Sequence, residues 1–165
     1  MNTDTTQPIV HLMCGLPTSG KTTFARRIAT ERQAICFTLD EWMLNLYDYT
    51  IYDPEYGQYA VRCQEQIWSV ALQLLACGVE VILDWSLWSA QRRKQWKDRI
   101  DAAGYPHRLY CFPHSLAVLQ ERLRQRNHEQ PSGTHVISEA ELLRFAPLFE
   151  PPMPHEGLTI VEITT

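Results

Sequence analysis

The feature that most constrains this chain is an eight-residue motif between an apolar segment and a segment with helical spacing. Residues 15–22 read Gly-Leu-Pro-Thr-Ser-Gly-Lys-Thr, a complete match to the pattern G-x-x-x-x-G-K-[ST]. The apolar residues 9–14 favour a buried strand, and residues 21–31 favour a helix. In that context the motif predicts a P-loop, in which backbone N–H groups and the helix N-terminus bind phosphate oxygens. A nucleoside triphosphate site is therefore expected here.

Each position of the predicted loop has an expected part in holding the triphosphate. Gly15 and Gly20 let the backbone turn its N–H groups inward, Lys21 reaches the β- and γ-phosphates, and the Thr22 hydroxyl binds Mg²⁺. The alternative is a glycine-containing turn that precedes a helix by chance, which is improbable in a chain with only 7 glycines and three lysines. The expected nucleotide contacts are Gly15, Leu16, Pro17, Thr18, Ser19, Gly20, Lys21, Thr22 and Thr23.

Length and composition are those of one ordinary globular domain. The chain has 165 residues, of which 45% are hydrophobic, and we expect a single domain over residues 1–165. Its net charge of −4 argues against non-specific binding to polyanions. No stretch approaches the roughly 18–20 apolar residues that a membrane span needs, so no membrane partner is expected. The sequence does not indicate an oligomeric state.

The cysteines and the N-terminal residues indicate a cytoplasmic protein. The five cysteines include no C-x-x-C pair and no metal-ligand spacing. Three of them, Cys14, Cys36 and Cys111, lie in predicted strands, where a free thiol packs as a small apolar side chain. Reduced thiols are typical of the cytoplasm. The N-terminal residues also lack the basic and apolar regions of a signal peptide.

Strand-like and helical segments alternate along the chain. The strand-like segments are residues 9–14, 34–39, 79–83, 107–112 and 158–163. The helical segments are residues 21–31, 55–77, 89–103, 115–127 and 138–146. This alternation predicts an α/β fold, with parallel strands and helices on both faces of the sheet. In such sheets the ligand binds beyond the carboxyl ends of the strands.

Two carboxylates follow predicted strands at that edge. Asp40 follows the second strand, where it would suit a base that accepts a proton from an attacking hydroxyl. Its alternative role, equally favoured, is to cap a helix that begins at Glu41. Asp84 ends the third strand, a position typical of the carboxylate that holds Mg²⁺ in P-loop proteins. Many buried strands also end in an acid, so the interpretation of Asp84 as a Mg²⁺ ligand depends on the presence of the intact P-loop.

Basic residues form two groups. Arg122 and Arg126 share one face of the predicted helix after the fourth strand, where they would suit charge stabilisation over the γ-phosphate. A solvated basic face is the alternative for this pair, and it is the favoured interpretation for Arg124. The second group, Arg92, Arg93, Lys94, Lys97 and Arg99, is expected to be a solvated face, with a substrate-phosphate role for one arginine as the alternative.

Residues 33–61 combine acidic and aromatic side chains without any lysine or arginine. Some of the aromatic rings are expected to pack in the core. Their density beside Asp40 nevertheless suits a pocket for a neutral or cationic ring or sugar, and it suits a phosphate backbone badly. The acids are Asp40, Glu41, Asp48, Asp53 and Glu55, and the aromatic residues include Trp42, Tyr47, Tyr49, Tyr52, Tyr56 and Tyr59.

Taken together, these motifs resemble a family of small bacterial P-loop kinases related to polynucleotide 5′-kinases, chloramphenicol phosphotransferase and zeta toxins. The matching segments cover almost the whole chain: residues 15–22, 37–42, 83–89, 122–127 and 149–152. The resemblance implies a three-layer P-loop NTPase fold of the nucleoside-kinase type, with a five-stranded parallel sheet and a short lid at about residues 122–137. It also implies ATP and Mg²⁺ as the cofactors.

The resemblance implies roles for several residues. Asp40 falls where these kinases carry the general base, Asp84 falls near the metal, and Arg126 falls where a lid arginine meets the phosphates, with Arg122 as a second candidate. One departure concerns the acceptor. Polynucleotide kinases carry an arginine for the nucleic-acid phosphate three residues after the base, and here that place is Met43. This difference favours a small-molecule acceptor over nucleic acid, which stays as an alternative.

The expected function is ATP-dependent transfer of the γ-phosphate to a hydroxyl of a small molecule. The alternatives are a polynucleotide or nucleoside 5′-hydroxyl kinase, a zeta-like kinase of a nucleotide sugar, and a non-catalytic ATP-binding regulatory module. No Asn-Lys-x-Asp guanine signature occurs in the chain, so adenine is the expected base. We expect backbone near the lid and residues 151–157 to contact it.

Overall fold

Five strands alternate with helices along the chain in this computed structural model, which describes residues 7–129 and 134–164. The strands are β1 (Val10–Cys14), β2 (Ile35–Thr38), β3 (Val81–Asp84), β4 (His107–Cys111) and β5 (Ile160–Glu162). The helices are α1 (Lys21–Arg32), α2 (Leu39–Leu46), α3 (Tyr56–Ala76), α4 (Ala90–Ala102), α5 (Leu116–Glu129) and α6 (Glu139–Phe145). Short 3₁₀ turns cover Ala146–Leu148 and Pro154–Glu156.

All strand pairs in the sheet are parallel, and the strand order is β2-β3-β1-β4-β5. The first strand is therefore central, with β3 on one side and β4 on the other. All five residues of β1 are buried. This arrangement confirms the predicted α/β fold with a five-stranded parallel sheet, and it places the end of β1 in the middle of the crevice edge.

Helices cover both faces of the sheet and give three layers. On one face, α1 packs Phe24 and Ile28 against strand residues that include Tyr110. On the other face, α3 and α4 pack Ile67 and Trp96 against the opposite side of the strands. Alternate residues of each strand point to opposite faces, which is why one apolar strand serves both layers. No helix within the described ranges is both long and apolar enough to span a membrane.

A third apolar cluster lies over the end of the sheet, beside the P-loop. It joins Leu16 to Leu119 and Leu123 of α5, and to Ile137 and Leu142 near α6. A capping box fixes the start of α6, since the Ser138 hydroxyl accepts from the Glu141 N–H and the Glu141 carboxylate accepts from the Ser138 N–H. Part of the expected lid, residues 130–133, lies outside the described residues.

The basic group on α4 differs from the expectation at one position. Arg92 and Lys94 are exposed, as predicted for a solvated face, but the Arg93 side chain is fully buried. Its guanidinium pairs with both carboxylate oxygens of Glu156 and donates to three backbone carbonyls, those of Leu87, Trp88 and Glu150. Arg93 is therefore neither solvated nor available to a substrate phosphate. It fastens the loop before β5 to α4.

The Arg93 network predicts a large loss of stability on truncation. Arg93→Ala would leave the Glu156 carboxylate without its counter-ion and would remove one donor from each of the three backbone carbonyls, so we expect a loss of about 3–5 kcal/mol in the free energy of unfolding. Urea denaturation followed by tryptophan fluorescence measures it. The neighbouring exposed variant Arg92→Ala is the matched control and should change stability by less than about 0.5 kcal/mol. Equal losses of stability in the two variants would show that the contacts of Arg93 do not stabilise the protein.

Candidate functional site

The loop between β1 and α1 has the backbone shape that the P-loop motif requires. Gly20, the N-cap of α1, has φ 95°, and Thr18 has φ 63°, so both residues lie in the left-handed region. Gly15 has no room for a side chain, because a Cβ there would lie 2.7 Å from the Ser19 Oγ and 3.3 Å from the Phe112 Cβ. These constraints explain both glycines of the motif. The first turn of α1 has no side-chain cap, as suits an anion site.

Lys21 is buried inside this loop, and backbone holds its ammonium group. The Nζ donates to the Leu16 carbonyl at 2.8 Å and lies 3.5 Å from the Ser19 Oγ. Burial lowers the pKa of Lys21, while the charges of Asp84 and Asp40 oppose that effect. Among the described residues, no carboxylate forms a salt bridge with Lys21. A buried cation with spare donors is suited to a phosphate ligand.

Asp84 closes the other side of the P-loop. It is the last residue of β3, its register partner is Thr38 of β2, and it is 4% exposed. The Thr38 hydroxyl donates to its carboxylate at 3.3 Å, and the Thr22 side chain also forms a hydrogen bond with it. Burial raises the pKa of Asp84, whereas Thr22 and Lys21 lower it. Two expected metal-site residues, Thr22 and Asp84, are therefore in direct contact.

This donor set fits Mg²⁺. A carboxylate and a hydroxyl are the hard oxygen ligands that Mg²⁺ prefers, and this ion usually completes its shell with water and substrate phosphates. The described residues contain no group of three or more His, Cys, Asp or Glu that could hold a metal ion by itself. Thr22 and Asp84 can thus supply the protein's share of a site that a bound nucleotide completes.

Asp40 lies in the first turn of α2, which begins at Leu39 after the N-cap Thr38. The alternative that Asp40 caps a helix beginning at Glu41 is therefore wrong. The Asp40 side chain is 51% exposed. Its charge influences the pKa values of Lys21, Asp84 and Arg126, so the carboxylate stands close to all three. The structure thus brings Asp40, Lys21 and Asp84 to one edge of the sheet.

His135 lies beside this carboxylate and Tyr56 contacts His135, and neither was a candidate site residue from the sequence. The His135 Nε2 lies 3.9 Å from the Asp40 Oδ1, and the Tyr56 hydroxyl lies 3.1 Å from the same nitrogen. The two rings meet edge to face, with centroids 5.4 Å apart. Burial and the nearby charge of Asp40 raise the pKa of Tyr56, which keeps its hydroxyl protonated. Tyr56 lies in the acidic aromatic segment, but nothing in the sequence singled out His135.

Arg122 and Arg126 of α5 lie on the side of the site, whereas Arg124 lies on the outer surface. Arg122 donates to His114 at 3.1 Å and to the Ser19 carbonyl at 3.4 Å, which places it beside the P-loop. Arg126 donates to the His135 carbonyl at 3.3 Å, and burial lowers its pKa, an effect that Asp40 opposes. Arg124 pairs with exposed glutamates on the outer surface, as expected for a solvated residue. Arg122 therefore lies beside the P-loop, and Arg126 lies beside His135.

The aromatic residues beside Asp40 divide between core and surface. Tyr47, Tyr49 and Tyr59 form a cluster with ring centroids 4.7 to 6.2 Å apart. Tyr47 and Tyr59 pack against the main core, as do Trp42 and Tyr56. Tyr52 is 63% exposed. The expectation that some of these rings belong to the core is correct.

A cavity of about 400 Å³ opens on the other side of the P-loop. It lies next to Leu16, at the ends of β4 and β5, whereas Asp40 and Asp84 belong to the β2 and β3 side. Aromatic, aliphatic and proline side chains dominate its wall, a composition suited to a planar ring. The lining includes Leu16, Phe112, Leu119, Phe149, Pro151 and Pro152.

Comparisons with known proteins agree with this geometry. The family model AAA_33, an AAA domain, matches residues 10–152, which is most of the chain. No curated protein shows significant similarity to the sequence.

Several solved structures share the fold. A candidate kinase of Chloroflexus aurantiacus J-10-fl superposes with a TM-score of 0.70 and 19% identity, over 95% of this chain and 89% of that chain. Kti12 of Chaetomium thermophilum, solved in complex with ADP-AlF3, superposes with a TM-score of 0.68 and 19% identity, over 93% of this chain and 88% of that chain. A chain of the Pnkp1/Rnl/Hen1 RNA repair complex superposes with a TM-score of 0.67 and 21% identity, over 90% of this chain and 46% of that chain. At such identities these similarities establish a fold of the P-loop kinase type.

The burial of Lys21 predicts opposite effects on stability and on ligand binding. Lys21→Met would replace a desolvated charge by an apolar side chain of similar length, so we expect the free energy of unfolding to rise by about 1 kcal/mol or more. We expect the affinity for ATP to fall at least about 100-fold, since the phosphates lose a charged donor. Urea denaturation and titration calorimetry measure the two effects. The exposed Lys94→Met is the control, and a destabilised Lys21→Met would contradict this account.

Proposed function

The chain belongs to the AAA domain family whose model it matches, and we propose that within this family it is an ATP-dependent kinase of a small-molecule hydroxyl. The observation that carries the proposal is the position of Asp40. A half-exposed carboxylate stands near the buried Lys21 without forming an ion pair with it, and its charge also reaches the buried Asp84. A protein that only bound nucleotide would have no use for a free proton acceptor at this place. A phosphotransferase needs one there.

In the proposed reaction, Asp40 accepts the proton of the acceptor hydroxyl. The oxygen then attacks the γ-phosphorus in line with the bond to the leaving ADP, which breaks as the new P–O bond forms. Lys21 and the backbone of the P-loop hold the phosphates in position. Thr22 and Asp84 would hold Mg²⁺, which neutralises charge on the β- and γ-phosphate oxygens when it is bound.

Arg122 and Arg126 are proposed to stabilise the charge on the transferred phosphoryl group. They share a face of α5, and their contacts run from the Ser19 carbonyl at the P-loop to the His135 carbonyl near Asp40. This path joins the nucleotide to the acceptor. Because residues 122–137 carry both arginines and His135, we propose that this segment is a lid, which would exclude water from the closed site.

The surroundings of Asp40 support a small, neutral or cationic acceptor. Tyr56 and His135 place hydrogen-bonding groups next to the carboxylate. Met43, which stands where a polynucleotide kinase would carry its phosphate-binding arginine, is fully buried in the core and faces away from solvent. The Tyr47, Tyr49 and Tyr59 rings lie on the same segment and could contact an apolar or cationic part of the acceptor.

A 5′-hydroxyl polynucleotide kinase is the second candidate, because the fold also matches a chain of the Pnkp1/Rnl/Hen1 RNA repair complex. The match covers only 46% of that longer chain, so membership of an RNA repair complex is not assigned to this protein. The buried Met43 and the net charge of −4 weigh against nucleic acid. A regulatory ATP-binding module without turnover is the third candidate. The response of ATP turnover to a panel of acceptors distinguishes the three.

We predict that Asp40→Asn abolishes phosphotransfer but leaves nucleotide binding intact. Release of ADP from MgATP is followed across a panel of sugars, polyols, antibiotics, nucleosides and a 5′-hydroxyl oligonucleotide. One class should stimulate the wild type, and Asp40→Asn should lower kcat by about 10²–10⁴-fold with an unchanged Kd for ATP. Asp98→Asn, which changes an exposed acid on α4 away from the site, is the control.

Three results of this panel would count against the proposal. Full activity of Asp40→Asn would remove the base from the mechanism. Stimulation by the oligonucleotide alone, weakening steeply with salt, would favour the polynucleotide kinase. If the protein binds ATP and no compound stimulates turnover, the regulatory module becomes the better interpretation.

The two inner arginines of α5 should affect the rate far more than their outer neighbour. We expect Arg126→Ala to lower kcat by about 10²–10³-fold, because electrostatic stabilisation of the transition state is lost, with a smaller effect on the Kd for ATP. Arg124→Ala, on the same helix but paired with exposed Glu139 and Glu121, should leave kcat within about twofold. Steady-state kinetics with the identified acceptor measures both variants. Equal losses of kcat would show that these arginines support the structure of α5 and do not act on the transferred phosphoryl group.

A further inference from the structure

Two cysteines lie side by side directly under the P-loop. Cys14 is the last residue of β1 and Cys111 is the last residue of β4, and the two are register partners in the parallel ladder. Their side chains therefore leave the same face of the sheet. The Cys14 thiol donates to the Leu87 carbonyl at 3.2 Å, and it is close enough to Cys111 for each thiol to affect the pKa of the other. Adjacent strands are about 4.8 Å apart, and a disulfide needs Cα atoms about 4.4–6.8 Å apart. The pair is thus placed for direct bonding.

The two thiols differ in access. Cys111 lines the cavity of about 400 Å³ beside the P-loop, together with Leu16 and Phe149. Cys14 is 0% exposed, and the side chains around it belong to the main core. A small reagent can therefore reach Cys111 through the cavity, whereas Cys14 is reached through Cys111.

Their electrostatics also differ. The interaction with the neighbouring Cys14 thiol lowers the pKa of Cys111, and the Arg93 guanidinium adds a smaller effect in the same direction. The interaction with Cys111 and burial raise the pKa of Cys14, which therefore keeps its proton. A thiolate is the nucleophile in thiol chemistry. Because Cys111 borders the cavity and Cys14 is fully buried behind it, Cys111 is the thiol that reacts first, and Cys14 is the one that resolves the product.

We propose that Cys14 and Cys111 form a redox-sensitive modification site that reacts with hydroperoxides and closes to a disulfide, which weakens nucleotide binding. The Cys111 thiolate attacks the peroxide, the O–O bond breaks, and Cys111 becomes a sulfenic acid while an alcohol or water leaves. The Cys14 sulfur then attacks the Cys111 sulfur and releases water. In total, two thiols and ROOH give a disulfide, ROH and H₂O. This inference does not depend on the proposed kinase reaction.

The link to nucleotide binding is steric. Cys14 is followed by Gly15, whose surroundings are already tight, since a Cβ there would meet the Ser19 Oγ at 2.7 Å. The Gly15 carbonyl also accepts a hydrogen bond from the Trp88 Nε1 at 3.0 Å. Bonding to Cys111 would pull Cys14 away from the Leu87 carbonyl and shift the first residue of the P-loop. Because P-loop binding depends on the placement of backbone N–H groups, the oxidised form should bind nucleotide less well.

The test begins with Cys77→Ser, which removes the exposed cysteine and leaves the dithiol unchanged. This protein is treated with hydrogen peroxide, digested without reduction and analysed by mass spectrometry, and its Kd for ADP is measured by calorimetry. We expect a peptide cross-linked through Cys14 and Cys111, and a Kd raised at least tenfold. Dithiothreitol should restore the original value. Prior addition of ADP should slow the reaction, since a bound nucleotide would cover the cavity.

A second variant separates the two roles. In Cys14→Ala, with Cys77→Ser also present, Cys111 has no resolving thiol, so peroxide should leave a sulfenic acid that dimedone traps on Cys111. If Cys111→Ser folds, it should give neither the cross-link nor any change of the Kd with peroxide. Absence of the cross-linked peptide, or a cross-link that leaves the Kd for ADP unchanged, would overturn the proposal. The cross-link is read directly on the cysteines, so a failure of the kinase assignment would not alter it.

Discussion

The buried ammonium group of Lys21 is the interaction on which the rest of the site depends. A charge removed from water is costly, and in this protein its direct partners are one carbonyl at 2.8 Å and one hydroxyl at 3.5 Å. The opposing carboxylates, Asp84 and Asp40, act at longer range from β3 and from the helix after β2. The strand order therefore places compensating charge near the P-loop without neutralising Lys21, which leaves it available for phosphate.

The central position of β1 divides the ligand crevice into two sides. Asp40 and Asp84 belong to the β2 and β3 side, while the apolar cavity lies at the ends of β4 and β5. A nucleotide with its base in the cavity and its phosphates on the P-loop would point its terminal phosphate towards Asp40. The same topology that buries β1 on both faces thus separates the apolar cavity, which suits a planar ring, from the side of Asp40, where the acceptor is proposed to bind.

Local patterns predicted the sheet, the P-loop and the position of Asp84, because each depends on residues close in sequence. They did not predict the role of Arg93, since Arg92 and Arg93 look equivalent in the sequence and only the packed structure buries one of them. They also missed His135, which meets Asp40 through a contact between residues far apart along the chain. The predicted helical segments did not include α2, and the alternative role of Asp40 began this helix at Glu41, because the helix follows β2 without a connecting loop.

Arg93 connects the stability of the cavity wall to the chemistry of the cysteines. Its Nη1 lies 3.9 Å from the Cys14 Sγ, but the guanidinium is paired with both oxygens of the Glu156 carboxylate. An ion pair of this kind has a much weaker field than a free cation, so Arg93 contributes only a small part of the reactivity of the neighbouring thiols. Closure of the disulfide instead depends on the two thiols staying in register, and the register is set by the same β1–β4 pairing that supports the P-loop.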